Sequence, residues 1–387
     1  MVAIQDYQGR EQAYVKHVFL ERYLERLVHK TASRYDHIVY VDGFAGPWQS
    51  ANEQFQDTSF GIALNALRQV KATWKAAGRD VKMSAYLVEQ DPKTYAKLAT
   101  IQARYPEIEV KTYEGDFLGV LPAILAAVPP QAFAFFFIDP KGWRFRLLDL
   151  AKMLERRNSE VIFNFMFDFI NRAASMKEPA IETGVDELIP YGDWRKKLEE
   201  AEKREATSED RKAILVDAFG ESLAKIGAYD YVAETTVLRP LSNRALYCLC
   251  YATRHPKGIE VFRDCQMQAL QEQARTRATT KVKHAESVSG QREIFESLHD
   301  MAPNELETTL AEAKVAAEKM LIDLTPMSPG SVTYGDIWPR VLAKHVVRRP
   351  DVNQIAVKLK KANRLSFLDW ETGKRVPQDS YRMNRPT

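Results

Sequence analysis

His37-Ile-Val-Tyr-Val-Asp42 is an apolar run that ends on a carboxylate, and Gly43-Phe-Ala-Gly46 follows it as a tight turn. Such a run, closed by glycines, reads as a strand buried on both faces. The same order of strand and acid recurs along the chain. Met83–Glu89 closes on an acid, Glu109–Tyr113 leads into Glu114-Gly-Asp116, and Ala132–Asp139 passes through Phe135-Phe-Phe-Ile138 to another acid. Glu160–Met166 reads as a fifth strand. Helical periodicity fills the gaps at Ser59–Ala77, Pro92–Arg104, Leu118–Val128 and Leu147–Arg157, and Tyr14–Lys30 precedes the first strand as an amphipathic helix. Strands separated by helical stretches of about 10–15 residues predict an α/β fold with a doubly wound, mostly parallel sheet.

Beyond the fifth strand, Asp186–Gly227 turns charged and helical, which predicts a helical insertion or lid at about 180–230. Two more strands, Thr235–Leu238 and Ala245–Thr253, complete a first domain that is expected to end at 268. Ala269–Leu298 is helical and polar and opens a connector running to 328. In the last segment Thr333–Lys344 reads as a helix, Asp351 as the cap of a second helix through Ala362, and Leu365–Trp370 as a strand entering the turn Glu371-Thr-Gly-Lys374. Helix, helix and hairpin outline a winged-helix-like domain over 329–387.

The chain has 387 residues, 45% hydrophobic and 28% charged, enough for two buried cores and unlike a disordered chain. No apolar stretch reaches the roughly 18 residues of a membrane helix. Met1–Arg10 holds no apolar signal core, so a cytoplasmic protein without membrane contact is expected. Three cysteines, Cys248, Cys250 and Cys265, exclude a disulfide scaffold and a four-cysteine zinc site, and no metal is expected. The net charge of +3 is unevenly spread: from Ser331 onward 12 Lys/Arg face 5 Asp/Glu, a net of +7, which leaves −4 for the rest. A basic end suits a polyanion, though a solvated surface would look the same.

In an open parallel sheet, ligands bind outside the carboxyl ends of the strands, so Asp42, Glu89, Asp116 and Asp139 are expected along one crevice. Each acid suits part of a nucleoside-bearing cofactor. Gly43, Phe44, Ala45 and Gly46 let the backbone approach it, Glu89 beside Gln90 suits two ribose hydroxyls, and Asp116 beside Phe117 suits the adenine amino group and ring. No P-loop is present and the first turn is not G-x-G-x-x-G. That favours a cofactor without phosphates, S-adenosylmethionine, over a dinucleotide.

Tyr40-Val-Asp-Gly-Phe-Ala-Gly-Pro47, Phe137-Ile-Asp-Pro-Lys-Gly-Trp143, Asn164-Phe165 and Ala252-Thr-Arg-His-Pro-Lys-Gly258 resemble motifs of the three-Cys-motif partner proteins, along nearly the whole chain. That family is class I methyltransferase-like and takes its name from the cysteines of a neighbouring radical-SAM-like protein. The resemblance therefore implies S-adenosylmethionine-dependent methyl transfer and a partner of that kind. Trp48 stands where nucleic-acid methyltransferases commonly have glycine. Asp139-Pro-Lys-Gly142 is closer to the Asp-Pro-Phe-Gly of tRNA guanine-N2 methyltransferases than to Asp-Pro-Pro-Tyr.

The expected activity is methyl transfer to a nucleic acid, DNA or RNA, at a base amino nitrogen. Asp139 and the backbone after Pro140 would hold the amine, and Trp143 or Phe165 would stack on a flipped base. Asn164 would face the crevice from the fifth strand. Lys16 and His17 fit either an exposed helical face or the carboxylate end of the cofactor, and Arg254-His255 either a substrate phosphate or solvent. On the basic segment Lys358, Lys360, Lys361 and Arg364, with Lys374 and Arg375 at the hairpin tip, form a surface for phosphates. The alternative is a catalytically silent, nucleic-acid-binding adaptor on the same fold, which Lys141 and Trp48 favour.

Overall fold

His37–Asp42 forms β1, at the centre of a seven-stranded sheet. The others are β2 (Lys82–Glu89), β3 (Glu109–Glu114), β4 (Phe133–Ile138), β5 (Ser159–Phe165), β6 (Tyr231–Leu238) and β7 (Ala245–Thr253). Their spatial order is β3-β2-β1-β4-β5-β7-β6. Strands β1 to β5 pair in parallel, whereas β7 is antiparallel to both neighbours. The reason for the mixed sheet is local: Arg239 donates its backbone N–H to the Arg244 carbonyl at 2.9 Å, closing a hairpin between β6 and β7, and hairpins join antiparallel strands. The order turns about β1 and β4, the switch point where such sheets open a crevice. This mixed sheet with flanking helices is a Rossmann-like arrangement. The computed structural model describes the chain apart from residues 1, 3, 8, 47–49, 51–54, 141, 143, 144, 290–295 and 387.

Helices α1 (Glu11–Ala32), α2 (Ser59–Ala76), α3 (Pro92–Leu98) and α4 (Phe117–Ala127) flank the first four strands. Three of them start on side-chain caps: Thr58 accepts from the Gly61 N–H, Asp91 from Thr94, and Asp116 from Gly119. The helix expected over Leu147–Arg157 is a 3-10 turn, Leu147–Leu150, followed by the single turn α5 (Ala151–Leu154). Arg156 ends it by donating to the Ala132 carbonyl at 3.0 Å.

Helices α6 (Phe167–Ala173), α7 (Pro179–Leu188), α8 (Trp194–Glu202) and α9 (Ser208–Gly227) follow β5. The expected insertion is thus only partly one. The Phe219 ring lies 4.9 Å from Phe163 and 4.6 Å from Phe165, so α9 is a sheet-covering helix with an apolar face rather than a lid.

The chain divides into two units, Met1–Arg254 and His255–Thr387. The second begins with α10 (Pro256–Ser289) and α11 (Glu296–Asp323). It continues through β8 (Val332–Thr333), α12 (Tyr334–Lys344), α13 (Arg349–Lys361), β9 (Ser366–Phe367) and β10 (Arg382–Asn384). Its start lies ahead of 268 because Arg263 on α10 donates to the carbonyls of Leu342 and Ala343, at 2.6 and 2.9 Å, inside the same unit. Val352, Ile355, Ala356 and Leu359 are buried together, as their spacing on α13 requires. Asp351 is not the cap. It sits at the third position of α13 and accepts from the Arg348 N–H at 3.0 Å, so the helix starts earlier than the sequence suggested. The strands order as β8-β10-β9, and β9 pairs with β10, so Glu371–Lys374 turns within a long loop rather than a tight hairpin. Trp370 anchors that loop between Phe367 and Tyr381, with ring centres 5.2 and 5.7 Å away.

Arg254 closes the first unit. Its guanidinium donates to the carbonyls of Arg156 at 2.9 Å and Leu154 at 2.5 Å, and also to Gly227, and it covers the Tyr229 ring at 4.1 Å. It ties loops together and does not face solvent for a phosphate. Arg254→Met leaves those carbonyls unpaired, so we expect the unfolding free energy to fall by about 3 kcal/mol in chemical denaturation. A change below about 0.5 kcal/mol, the size of an ordinary surface substitution, would contradict this role.

Candidate active site

The acid-bearing strand ends meet through the turn after β1. The Gly43 N–H donates to the Phe137 carbonyl on β4 at 3.1 Å, and Ala45 donates to Val88 on β2 at 2.8 Å. The turn therefore lies across the sheet edge between Glu89 and Asp139. A Cβ at Gly43 would come within 3.1 Å of the Phe117 ring, so this position takes no side chain without displacing it.

Asp42 is fully buried. One oxygen accepts from the Phe44 N–H at 3.1 Å; the other accepts from the Tyr40 hydroxyl at 3.0 Å and Ser59 at 2.7 Å. Its donors are thus the protein's own groups, and it shapes the turn. Burial pushes its pKa up to about 6 against the pull of those donors, with the nearby Asp139 charge adding to the rise.

Glu89 is 2% exposed. Its Oε1 accepts from the Asp91 N–H at 2.7 Å, while Oε2 is buried without a partner among the described residues. Gln90, beside it, is exposed. Asp116 is exposed as the cap of α4. Phe117 does not offer an open ring: it is 1% exposed and packs on Phe44 at 5.7 Å.

At the end of β4, Asp139 accepts from Lys16 Nζ and from Asn164 Nδ2, both at 2.5 Å and on different oxygens. Asn164 is 2% exposed, and its Oδ1 has no partner among the described residues. Lys16 lies 5.8 Å from the Tyr247 ring centre on β7, and Tyr247 is pinned by donating to the Gln12 carbonyl at 2.7 Å. α1, β4, β5 and β7 thus converge on one carboxylate.

Pro140 is buried beside it, and Trp143 lies outside the described residues, as do Lys141 and Trp48. Phe165 is fully buried against Phe219, so it cannot stack on a base. His17 is buried as well, bonded to the Tyr7 hydroxyl at 2.8 Å, and burial lowers its pKa. Lys16 is the residue whose role the sequence leaves open. Its signal was there: it interrupts Tyr14-Val-Lys-His-Val-Phe-Leu20, whose other six residues are buried, and a lysine in such a run needs an acid.

The basic segment is partly neutralised within its own unit. Lys358 and Arg364 both bond Glu318 on α11, at 2.9 and 3.1 Å. Lys360 lies 4.4 Å over the Trp370 ring, and Lys374 is 3.8 Å from Glu371. Lys361 and Arg375 are exposed and have no acidic partner among the described residues. Cys248, Cys250 and Cys265 are buried, and none is in a disulfide.

No family model matches the chain. No curated protein matches it either. Among solved structures, a loganic acid methyltransferase with SAH aligns over 79% of this chain and 90% of its own, at 7% identity and a TM-score of 0.29. The fold is defined by the strand order β3-β2-β1-β4-β5-β7-β6.

The raised pKa of Asp42 predicts a pH dependence. A native state that binds the proton more tightly than the unfolded chain is most favoured below pH 4, and this contribution is lost as pH rises through 6. Between pH 3 and 7 the stability of the wild type should therefore fall relative to Asp42→Asn by about 3 kcal/mol, at about 1.4 kcal/mol per pKa unit. Parallel stability curves for the two proteins over that range would contradict the assignment.

Proposed function

We propose that the chain is an S-adenosylmethionine-dependent methyltransferase that acts on a nucleic acid. The observation that carries this reading is Glu89 Oε2, a buried carboxylate oxygen without a partner among the described residues, on the ligand edge of the sheet. Leaving a buried acceptor unpaired costs about 1–3 kcal/mol, and a ribose hydroxyl donating to it removes that cost. The remaining groups suit the rest of a nucleoside: Asp116 is exposed to accept from an amino group, and the turn from Gly43 to Gly46 brings backbone close. When bound, the cofactor supplies an electrophilic methyl group on a sulfonium. Asp42 holds the turn in shape, and Asp139 orients the acceptor while Lys16 and Asn164 fix its carboxylate.

The nucleic-acid half of the reading is supported by the basic end of the chain, with Lys361 and Arg375 exposed, and by the resemblance of the sequence motifs. On this reading α12, α13 and the β8-β10-β9 sheet act as a winged helix, with the loop between β9 and β10 as its wing. A radical-SAM-like partner follows from the resemblance alone. The base amino nitrogen expected from the sequence sits poorly with Lys16, and the acceptor atom turns on that lysine.

Calorimetric titration with S-adenosylhomocysteine tests the cofactor site. Glu89→Ala should weaken binding by roughly 1.5–3 kcal/mol, the usual size for a hydrogen bond to a charged group, whereas Asp139→Ala should bind almost as the wild type does and lose methyl transfer. Unchanged affinity in Glu89→Ala, or no binding by the wild type, would refute the reading.

A further inference from the structure

Resting on the methyl-transfer reading, we infer that the acceptor is a hydroxyl group, the ribose 2′-hydroxyl of an RNA, and that Lys16 is the residue that selects it. Lys16 and Asp139 form an ion pair at 2.5 Å with side chains only 14% and 20% exposed, so solvent screens the ammonium little. A neutral amine gains positive charge as it bonds to a methyl group, and an adjacent ammonium opposes that change. A hydroxyl oxygen gains negative charge as its proton leaves, and the same ammonium stabilises it. The lysine therefore discriminates between the two acceptors in the direction of oxygen.

The hydrogen-bond inventory at Asp139 leaves room for that hydroxyl. Each oxygen already accepts once, from Lys16 on one side and Asn164 on the other. The lone pair left on either oxygen suffices for the single hydrogen of a hydroxyl. The same two lone pairs would also accept the two hydrogens of an amino group, so the choice between the acceptors rests on the charge of Lys16. The pair is also held from outside the crevice: Tyr247 lies against Lys16, and Asn164 is anchored on β5.

The step balances on these residues. The acceptor oxygen forms the bond to the methyl carbon, and the carbon–sulfur bond breaks with its electron pair staying on sulfur. The hydroxyl proton passes to the Asp139 carboxylate and from there to water, and Lys16 keeps its protons throughout. Along a polynucleotide the bases offer amino and ring nitrogens, whereas the internal hydroxyl belongs to ribose. An oxygen acceptor thus selects RNA over DNA.

The test incubates the full chain with tritiated S-adenosylmethionine and, separately, total bacterial RNA or sheared bacterial DNA. Label should enter RNA alone and, after alkaline hydrolysis, remain in alkali-stable dinucleotides, because a methylated 2′-oxygen blocks cleavage at its own phosphate. Lys16→Met should reduce transfer a hundredfold or more, with S-adenosylhomocysteine affinity by calorimetry within twofold of the wild type. Lys16→Arg, which keeps the charge, should recover transfer to within tenfold. Label in amino-methylated bases or in DNA, full activity in Lys16→Met, or no transfer to either polymer by a protein that binds S-adenosylhomocysteine would each overturn the inference. Absence of cofactor binding in the wild type would instead overturn the methyl-transfer reading on which it rests.

Discussion

A carboxylate with no access to water has to find its donors inside the protein, and Asp42 finds them on three consecutive parts of the chain. Tyr40 belongs to β1, Phe44 to the turn, and Ser59 to the start of α2. Satisfying Asp42 therefore fixes where the turn goes. The turn in turn bonds to β4 and β2, the strands that carry Asp139 and Glu89. The burial that raises the Asp42 pKa is the cost of this arrangement, and the edge of the sheet is organised around it.

The strands were legible because a parallel sheet covered on both faces needs uninterrupted apolar runs, and Phe135-Phe-Phe-Ile138 can hardly be read otherwise. Contacts distant in sequence were not legible. Lys16 and Asp139 are 123 residues apart, and periodicity within α1 says only that Lys16 interrupts a buried run. The sequence offers Phe117 beside Asp116 and Phe165 beside Asn164 as stacking rings; tertiary packing against Gly43 and Phe219 buries both. The hairpin that makes β7 antiparallel is written in the short, polar Arg239–Arg244 link, a signal that the βα alternation upstream drowned out.

Charge tells a similar story at the other end. A count of lysines and arginines gives a strongly basic segment, yet Glu318, which sits on α11 well before that segment in sequence, takes up both Lys358 and Arg364. Composition records which charges exist, and only the fold shows which remain available. The same holds at Asp139, which reads from sequence as a lone acid and in three dimensions as one partner in an ion pair buried on most sides.

On the proposed reading, the edge between Gly43 and Glu89 holds a nucleoside whose ribose satisfies Glu89. A crystal structure of the full chain with S-adenosylhomocysteine tests it most directly. We expect a ribose hydroxyl about 2.7 Å from Glu89 Oε2, with the ligand lying across the Gly43–Ala45 turn toward Asp139. A ligand bound elsewhere, or a ribose turned away from Glu89 while Oε2 stays unpartnered, would contradict it.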